Sequence, residues 1–223
     1  MEKITIIGTS HIARDSVEKV RKTISEEKPD IVAVELDHAR LHAILHGKGA
    51  RPGLAALKAM GATGLAFYII GGFVQRKLGR LIGTEPGEEM KTALELARKN
   101  SIRVALVDQP INVTMQNLSR IGLREKLGLA RDALLGALGI GEKIRIDLSK
   151  TPDGQFIKEA MEKVKGMYPQ LYKALVQDRN EYMAGMLAKI RRMEPESKIV
   201  AVVGAGHEKE LARLLREKIS GKG

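Results

Sequence analysis

Four short apolar runs punctuate the chain, and each stops at a polar or glycine-containing group. Ile4-Thr5-Ile6-Ile7 runs into Gly8-Thr9-Ser10-His11, and Ile199-Val200-Ala201-Val202-Val203 runs into Gly204-Ala205-Gly206-His207. Between them, Ile31-Val32-Ala33-Val34 leads to Glu35, and Val104-Ala105-Leu106-Val107 leads to Asp108. Runs of this length, rich in β-branched residues, predict buried strands at 4–8, 31–36, 104–108 and 199–203. Helical spacing fills several of the intervals. Val17, Val20 and Ile24 share one face of a helix predicted over 15–27, with Pro29 just beyond its end. Met90, Ala93, Leu94 and Ala97 do the same for a helix over 86–99, where Pro86 suits the first turn. Leu211, Leu214, Leu215 and Ile219 mark a helix after the last strand.

The strand–helix–strand order predicts parallel strands and right-handed crossovers. The expected fold class is therefore α/β, a central, mostly parallel β-sheet flanked by helices. The chain 1–223 reads as one domain with helical insertions at about 47–83 and 110–195. The first insertion is rich in Gly and Ala. Its stretch from Ala59 to Val74 carries no charge but falls short of the roughly 20 residues a spanning helix needs. It reads as an amphipathic or buried helix that contacts a membrane or a partner. The second insertion is broken into segments by Pro110, Pro152 and Pro169.

Composition narrows the classes. At 223 residues and 43% hydrophobic content the chain can bury a sizeable core. The absence of cysteine excludes a disulfide framework and thiolate chemistry. The net charge of +11 comes without an Arg-rich run or a basic patch interleaved with aromatics. The charges thus read as solvated helix faces, and nucleic acid is not the expected partner. A Lys/Glu-rich, cysteine-free chain fits a thermophile. Nothing at Met1 has the pattern of a signal peptide, and the expected location is cytoplasmic or membrane-associated.

In a parallel sheet the strand ends share one edge, where open α/β sheets bind their ligands. His11, Glu35, Asp108 and His207 are expected to meet there. Imidazole and carboxylate together suit a divalent metal such as Zn, Mn or Co, or a general acid/base pair. The glycines before each histidine are expected to let the backbone turn tightly. Arg179 falls, by helical spacing, among Leu175, Tyr182, Met183, Met186 and Ile190 in a helix predicted over 171–193. It is either a salt-bridged or snorkelling arginine, or one that reaches the strand-end carboxylates or grips a substrate carboxylate. His38, His42 and His46 share one helix face and read as an exposed stripe. Glu88 and Glu89 open a helix, where acidic residues complement the dipole.

Taken in order, these pieces resemble the TraB/PrgY family, related to the Tiki metalloproteases and GumN-like proteins. The resemblance covers nearly the whole chain. It rests on Gly8-Thr9-Ser10-His11, Val34-Glu35-Leu36-Asp37 with Arg40, Pro86-Gly87-Glu88-Glu89-Met90, Leu106-Val107-Asp108, Asp178-Arg179-Asn180-Glu181-Tyr182-Met183 and Val203-Gly204-Ala205-Gly206-His207. It implies the fold of the erythromycin esterase/ChaN-like superfamily and a metal-dependent, peptidase-like site. His11, Glu35 and His207 would hold a divalent ion (Mn, Co or Zn). Glu89 would be a ligand or general base, and Asp108, Arg179 and Asn180 would complete the site. The implied partner is a peptide, either cleaved or, in the alternative, only held, as in shutdown of a peptide pheromone. Two departures stand out: Gln109 follows Asp108 where the family often has Arg, and Thr114-Met115-Gln116 lacks an expected basic residue. Many relatives carry membrane helices after this domain, so the chain reads as a soluble member or one shorn of that segment. A homo-oligomer is among the states left open.

Overall fold

The structure, a computed structural model, describes residues 3–9, 14–46, 87–137 and 162–221. Four strands form one parallel sheet: β1 (Ile4–Thr9), β2 (Ile31–Val34), β3 (Arg103–Leu106) and β4 (Ile199–Gly204), in the order β1-β4-β2-β3. The last of the described strands therefore lies between the first two. Register pairs Ile4 with Ile199 and Thr9 with Gly204, so both strands end level. The strand positions read from the sequence hold, with ends shifted by a residue or two. Glu35 and Asp108 lie just past their ladders, tied in by backbone bonds to Val202 O (3.0 Å) and Leu36 O (3.3 Å).

Period-two alternation sends successive strand residues to opposite faces. On one face Ile7, Val32, Val34, Val200 and Val202 pack against Val20 and Ile24 of α1 (Arg14–Glu27). Met90, Ala93 and Ala97 of α3 (Glu88–Lys99) join them. On the other face Ile31, Ala33, Ile199, Ala201 and Val203 meet Met183 and Leu187 of α7 (Asp178–Met193). Leu211 and Leu215 of α8 (Ala205–Ile219) complete that layer. Every residue of β4 is buried, as expected of a central parallel strand covered on both sides. The helix after β1 covers one face and the helix after β4 the other. Adjacent strands whose connections diverge open a crevice at their carboxyl ends.

The described parts of the second insertion are helical. They comprise α4 (Ile111–Ser119), α5 (Leu123–Ala137), a helical segment at 162–167 and α6 (Pro169–Tyr172). A π-helical turn, Lys173–Gln177, then runs into α7. Leu118, Ile121, Leu171 and Ala174 make a separate small core there. The helix α2 (His38–His46) buries none of its residues, and its three histidines are exposed, as expected; the His42 and His46 rings lie 4.2 Å apart. The insertion at 47–83, with Ala59–Val74, lies outside the described residues, as does Pro152. No helix among the described residues is long and apolar enough to cross a membrane.

The glycines play a different part from the one expected. Gly204 has φ −63° and ψ 144°, extended backbone open to any residue, and Gly206 sits inside α8. Gly8 is needed for space instead. A Cβ there would lie 3.0 Å from the Glu208 Cβ and closer still to its carboxyl group.

Candidate functional site

At the carboxyl edge, β2 delivers Glu35, β3 delivers Asp108 and β4 delivers His207 in the first turn of α8. α7 brings Arg179 and Asn180 across from the same side as α8. All five converge. Arg179 Nε donates to Asp108 Oδ1 (3.0 Å), and Nη2 donates to Asp108 Oδ2 (2.9 Å) and to Glu35 Oε1. Its Nη1 donates to Leu175 O (3.4 Å) and lies 3.3 Å from His207 Nε2. A guanidinium has five N–H groups, and these five contacts use them all. Burial alone would lower the Arg179 pKa, but the Glu35 and Asp108 charges outweigh it and hold the group above its ordinary value. Arg179 is thus a permanent cation, only 12% exposed, between carboxylates exposed by 6% and 0%.

Each partner is fixed from a second direction. The Gly204 N–H donates to Glu35 Oε2 at 2.6 Å, locking the β2 end to the β4 end. The Gln109 N–H donates to Asp108 Oδ1 at 2.8 Å. His207 Nδ1 lies 2.7 Å from Asn180 Oδ1. With the amide oriented so, the ring carries its proton on Nδ1 and Nε2 is the acceptor. Nε2 faces both an Arg179 donor at 3.3 Å and Glu35 Oε1 at 3.4 Å, so either protonation state finds a partner. Asn180 Nδ2 is the one buried side-chain N or O atom among the described residues with no hydrogen-bond partner.

Helical spacing placed Arg179 in a continuous apolar stripe. The structure splits that stripe. Leu175 packs into the small core with Leu171, while Met183 belongs to the sheet-facing core. Tyr182, read as part of the stripe, is 38% exposed. The break is the π-helical turn, whose extra residue per turn rotates the helix downstream of it. It leaves Arg179 at the junction, aimed at the strand ends.

Sequence spacing gave Arg40 no role of its own. Asp37 Oδ1 accepts from the Arg40 N–H (2.8 Å) and Oδ2 from the Ile111 N–H (2.6 Å), which caps α2 and ties it to α4. Arg40 Nη1 donates to Asp108 Oδ2, the oxygen that also takes Arg179 Nη2. Asp immediately before a helix, with Arg three residues on, was the available signal. Glu89 is buried in the first turn of α3. Because α3 runs into β3, that turn lies at the carboxyl edge of the sheet. His11 lies outside the described residues. Gln109 and Thr114, the neutral departures, bond to each other at 3.0 Å.

The space where the implied divalent ion would sit is already taken among these groups. Arg179 fills the space between Glu35, Asp108 and His207 with a cation of its own. The orphaned atom, Asn180 Nδ2, is a donor and calls for an acceptor oxygen. No cluster of three or more His, Cys, Asp or Glu placed to hold a metal occurs among the described residues. Among the described residues Glu35, Asp108 and His207 thus gather around a guanidinium, and His11, the remaining implied ligand, lies outside them.

A parallel α/β sheet with a buried acid–arginine–imidazole cluster at its carboxyl edge defines the class. The model of the TraB/PrgY/gumN family matches residues 1–218, so the chain belongs to that family. It is 33% identical to an uncharacterized protein of Methanocaldococcus jannaschii over 223 residues, covering 98% of this chain and 54% of that protein. It is 28% identical to a TraB domain-containing protein of Bos taurus over 231 residues and 27% identical to the Homo sapiens one over 235. Each alignment covers 92% of this chain and 60% of the relative. The chain thus spans between half and two thirds of the length of these relatives.

Proposed function

We propose that the cluster is a hydrolase site acting on peptides, and that its outcome is the inactivation of peptide signals. One observation carries the reading. An imidazole is anchored at Nδ1 by Asn180 and presents Nε2 toward a carboxylate–guanidinium pair. This is the arrangement of a base held in one tautomer by an orienting group. In the reaction, His207 Nε2 exchanges its contact with Arg179 Nη1 for a water, takes a proton from it, and the resulting hydroxide attacks the scissile carbonyl carbon. Once protonated, Nε2 becomes a donor, and Glu35 Oε1 stabilises the imidazolium. The tetrahedral intermediate collapses as the C–N bond breaks and the proton passes from His207 to the leaving amine. Arg179 holds Glu35 and Asp108 in place; its saturated donors make it a positioning residue.

No step is routed through a metal, so the assay carries metal arms. Purified protein is incubated with a mixed peptide library under chelator, and separately with Mn, Co or Zn, and products are read by mass spectrometry. Cleavage is expected, falling about 10²- to 10⁴-fold in His207→Gln, the range for loss of a positioned general base. Equal cleavage by wild type and His207→Gln sinks the assignment. Binding without cleavage in every arm moves the conclusion to a module that only holds its peptide, a reading that draws on the internal satisfaction of Arg179.

A further inference from the structure

We infer that Arg40 is the carboxylate-binding group of this site and selects ligands bearing a free carboxylate. The inference rests on the peptide reading above and deepens it. Two arginines touch the same buried oxygen, Asp108 Oδ2, and their circumstances differ. Arg179 is 12% exposed and has no N–H to spare. Arg40 has a side chain 32% exposed and spends one N–H, from Nη1, on Asp108. Its Nε and Nη2 have no partner among the described residues, so one edge of the guanidinium is open to a ligand.

That open edge is held in place at both ends. The Asp37 cap fixes the Arg40 backbone at the start of α2, and the Asp108 carboxylate, itself completely buried, fixes Nη1. Such anchoring removes much of the rotamer entropy that an ordinary surface arginine loses on binding. The planar pair Nε–H and Nη2–H matches the two oxygens of a carboxylate. Because Asp108 bridges Arg40 and Arg179, a carboxylate on Arg40 sits beside the guanidinium that contacts His207. The arginine that grips a substrate anion is then the rim residue Arg40, and the buried Arg179 supports it through Asp108. Gln109 and Thr114 bond to each other and supply no competing cation.

The carboxylate has two sources, a peptide C-terminus or an acidic side chain. The probes are fluorescent-labelled hexapeptides of one uncharged sequence with a free C-terminus or a C-terminal amide, plus an amidated version with one internal Glu. Affinity is measured by anisotropy on the full chain. The free-acid peptide is expected to bind about tenfold or more tighter than the amide, the range of a charge-assisted hydrogen bond. Arg40→Gln should abolish that difference and Arg40→Lys should keep part of it. Tight binding of the internal-Glu amide assigns the subsite to acidic side chains instead of chain ends. Equal binding of all three peptides by wild type overturns the inference, as does discrimination that survives Arg40→Gln. Cleavage plays no part in this readout. Discrimination without turnover sinks the hydrolase reading alone, cleavage without discrimination sinks this inference alone, and no binding of any peptide sinks both.

Discussion

Replacing Arg179 by Met tests whether the cluster is held together electrostatically. The substitution keeps the length of the side chain and deletes five hydrogen bonds at once. Asp108 retains Arg40 and the Gln109 N–H, so part of its charge stays compensated. Glu35 retains the Gly204 N–H but loses its guanidinium while its side chain stays 6% exposed. Removing one partner of a buried ion pair costs about 3–5 kcal/mol, because a desolvated charge is left behind. For a chain of this size each kcal/mol moves the melting temperature by about 2–4 °C, so Arg179→Met should melt roughly 6–20 °C lower. The check is urea denaturation followed by circular dichroism, with Glu35→Gln as a companion. Since Arg179→Met takes the guanidinium from Glu35, the double variant should be more stable than Arg179→Met alone by about 1 kcal/mol or more. A loss under about 1 kcal/mol for Arg179→Met, or strict additivity of the two substitutions, would mean that the ion pair does not hold the cluster together.

Other outcomes rest on particular contacts. Burial, reinforced by Asp132, raises the Tyr168 phenol to about 12. A raised folded pKa means the contribution is intact below the ordinary value near 10 and fades as pH climbs from there toward 12. Absorbance at 295 nm should show a late-titrating component that Tyr168→Phe removes; a titration unchanged by that substitution contradicts the contact. Gly87, with φ +91°, precedes α3 and opens onto empty space, so Gly87→Ala should cost about 1 kcal/mol through backbone strain alone. An unchanged denaturation midpoint would count against that. Glu125 accepts from the Leu171 (2.8 Å) and Gln170 (3.2 Å) N–H groups at the start of α6, so Glu125→Ala should lose about 1–2 kcal/mol. Leu211, fully buried against the sheet, should cost about 2–5 kcal/mol as Ala, read in the same assay.

The sheet was legible because its signals are local. Short β-branched runs ending in Gly, Glu or Asp located all four strands, and the sheet's parallel order placed Glu35, Asp108 and His207 on one edge. Three features resisted the same reading, each for a physical reason. A π-helical turn leaves no mark in a 3.6-residue pattern, so the stripe from Leu175 to Ile190 looked continuous although it serves two cores. The saturation of Arg179 depends on tertiary partners from three strands, and spacing alone could not separate a substrate-gripping arginine from a clamp. Arg40 was hidden because an Asp cap and a nearby arginine are common at helix starts. Only the shared oxygen of Asp108 gives that pair meaning. The glycine before each histidine had the right position and the wrong reason: Gly8 makes room for Glu208, and Gly204 is plain extended backbone.

The proposed role of His207, oriented by Asn180, is to activate water against a peptide bond at the edge of this sheet. The most direct measurement is cleavage in water enriched in oxygen-18, with mass spectrometry of the newly formed C-termini. One labelled oxygen per new carboxylate is expected with wild type, and label appearing about 100-fold or more slowly with His207→Gln. Cleavage products without label, or labelling at the same rate in both proteins, would contradict it.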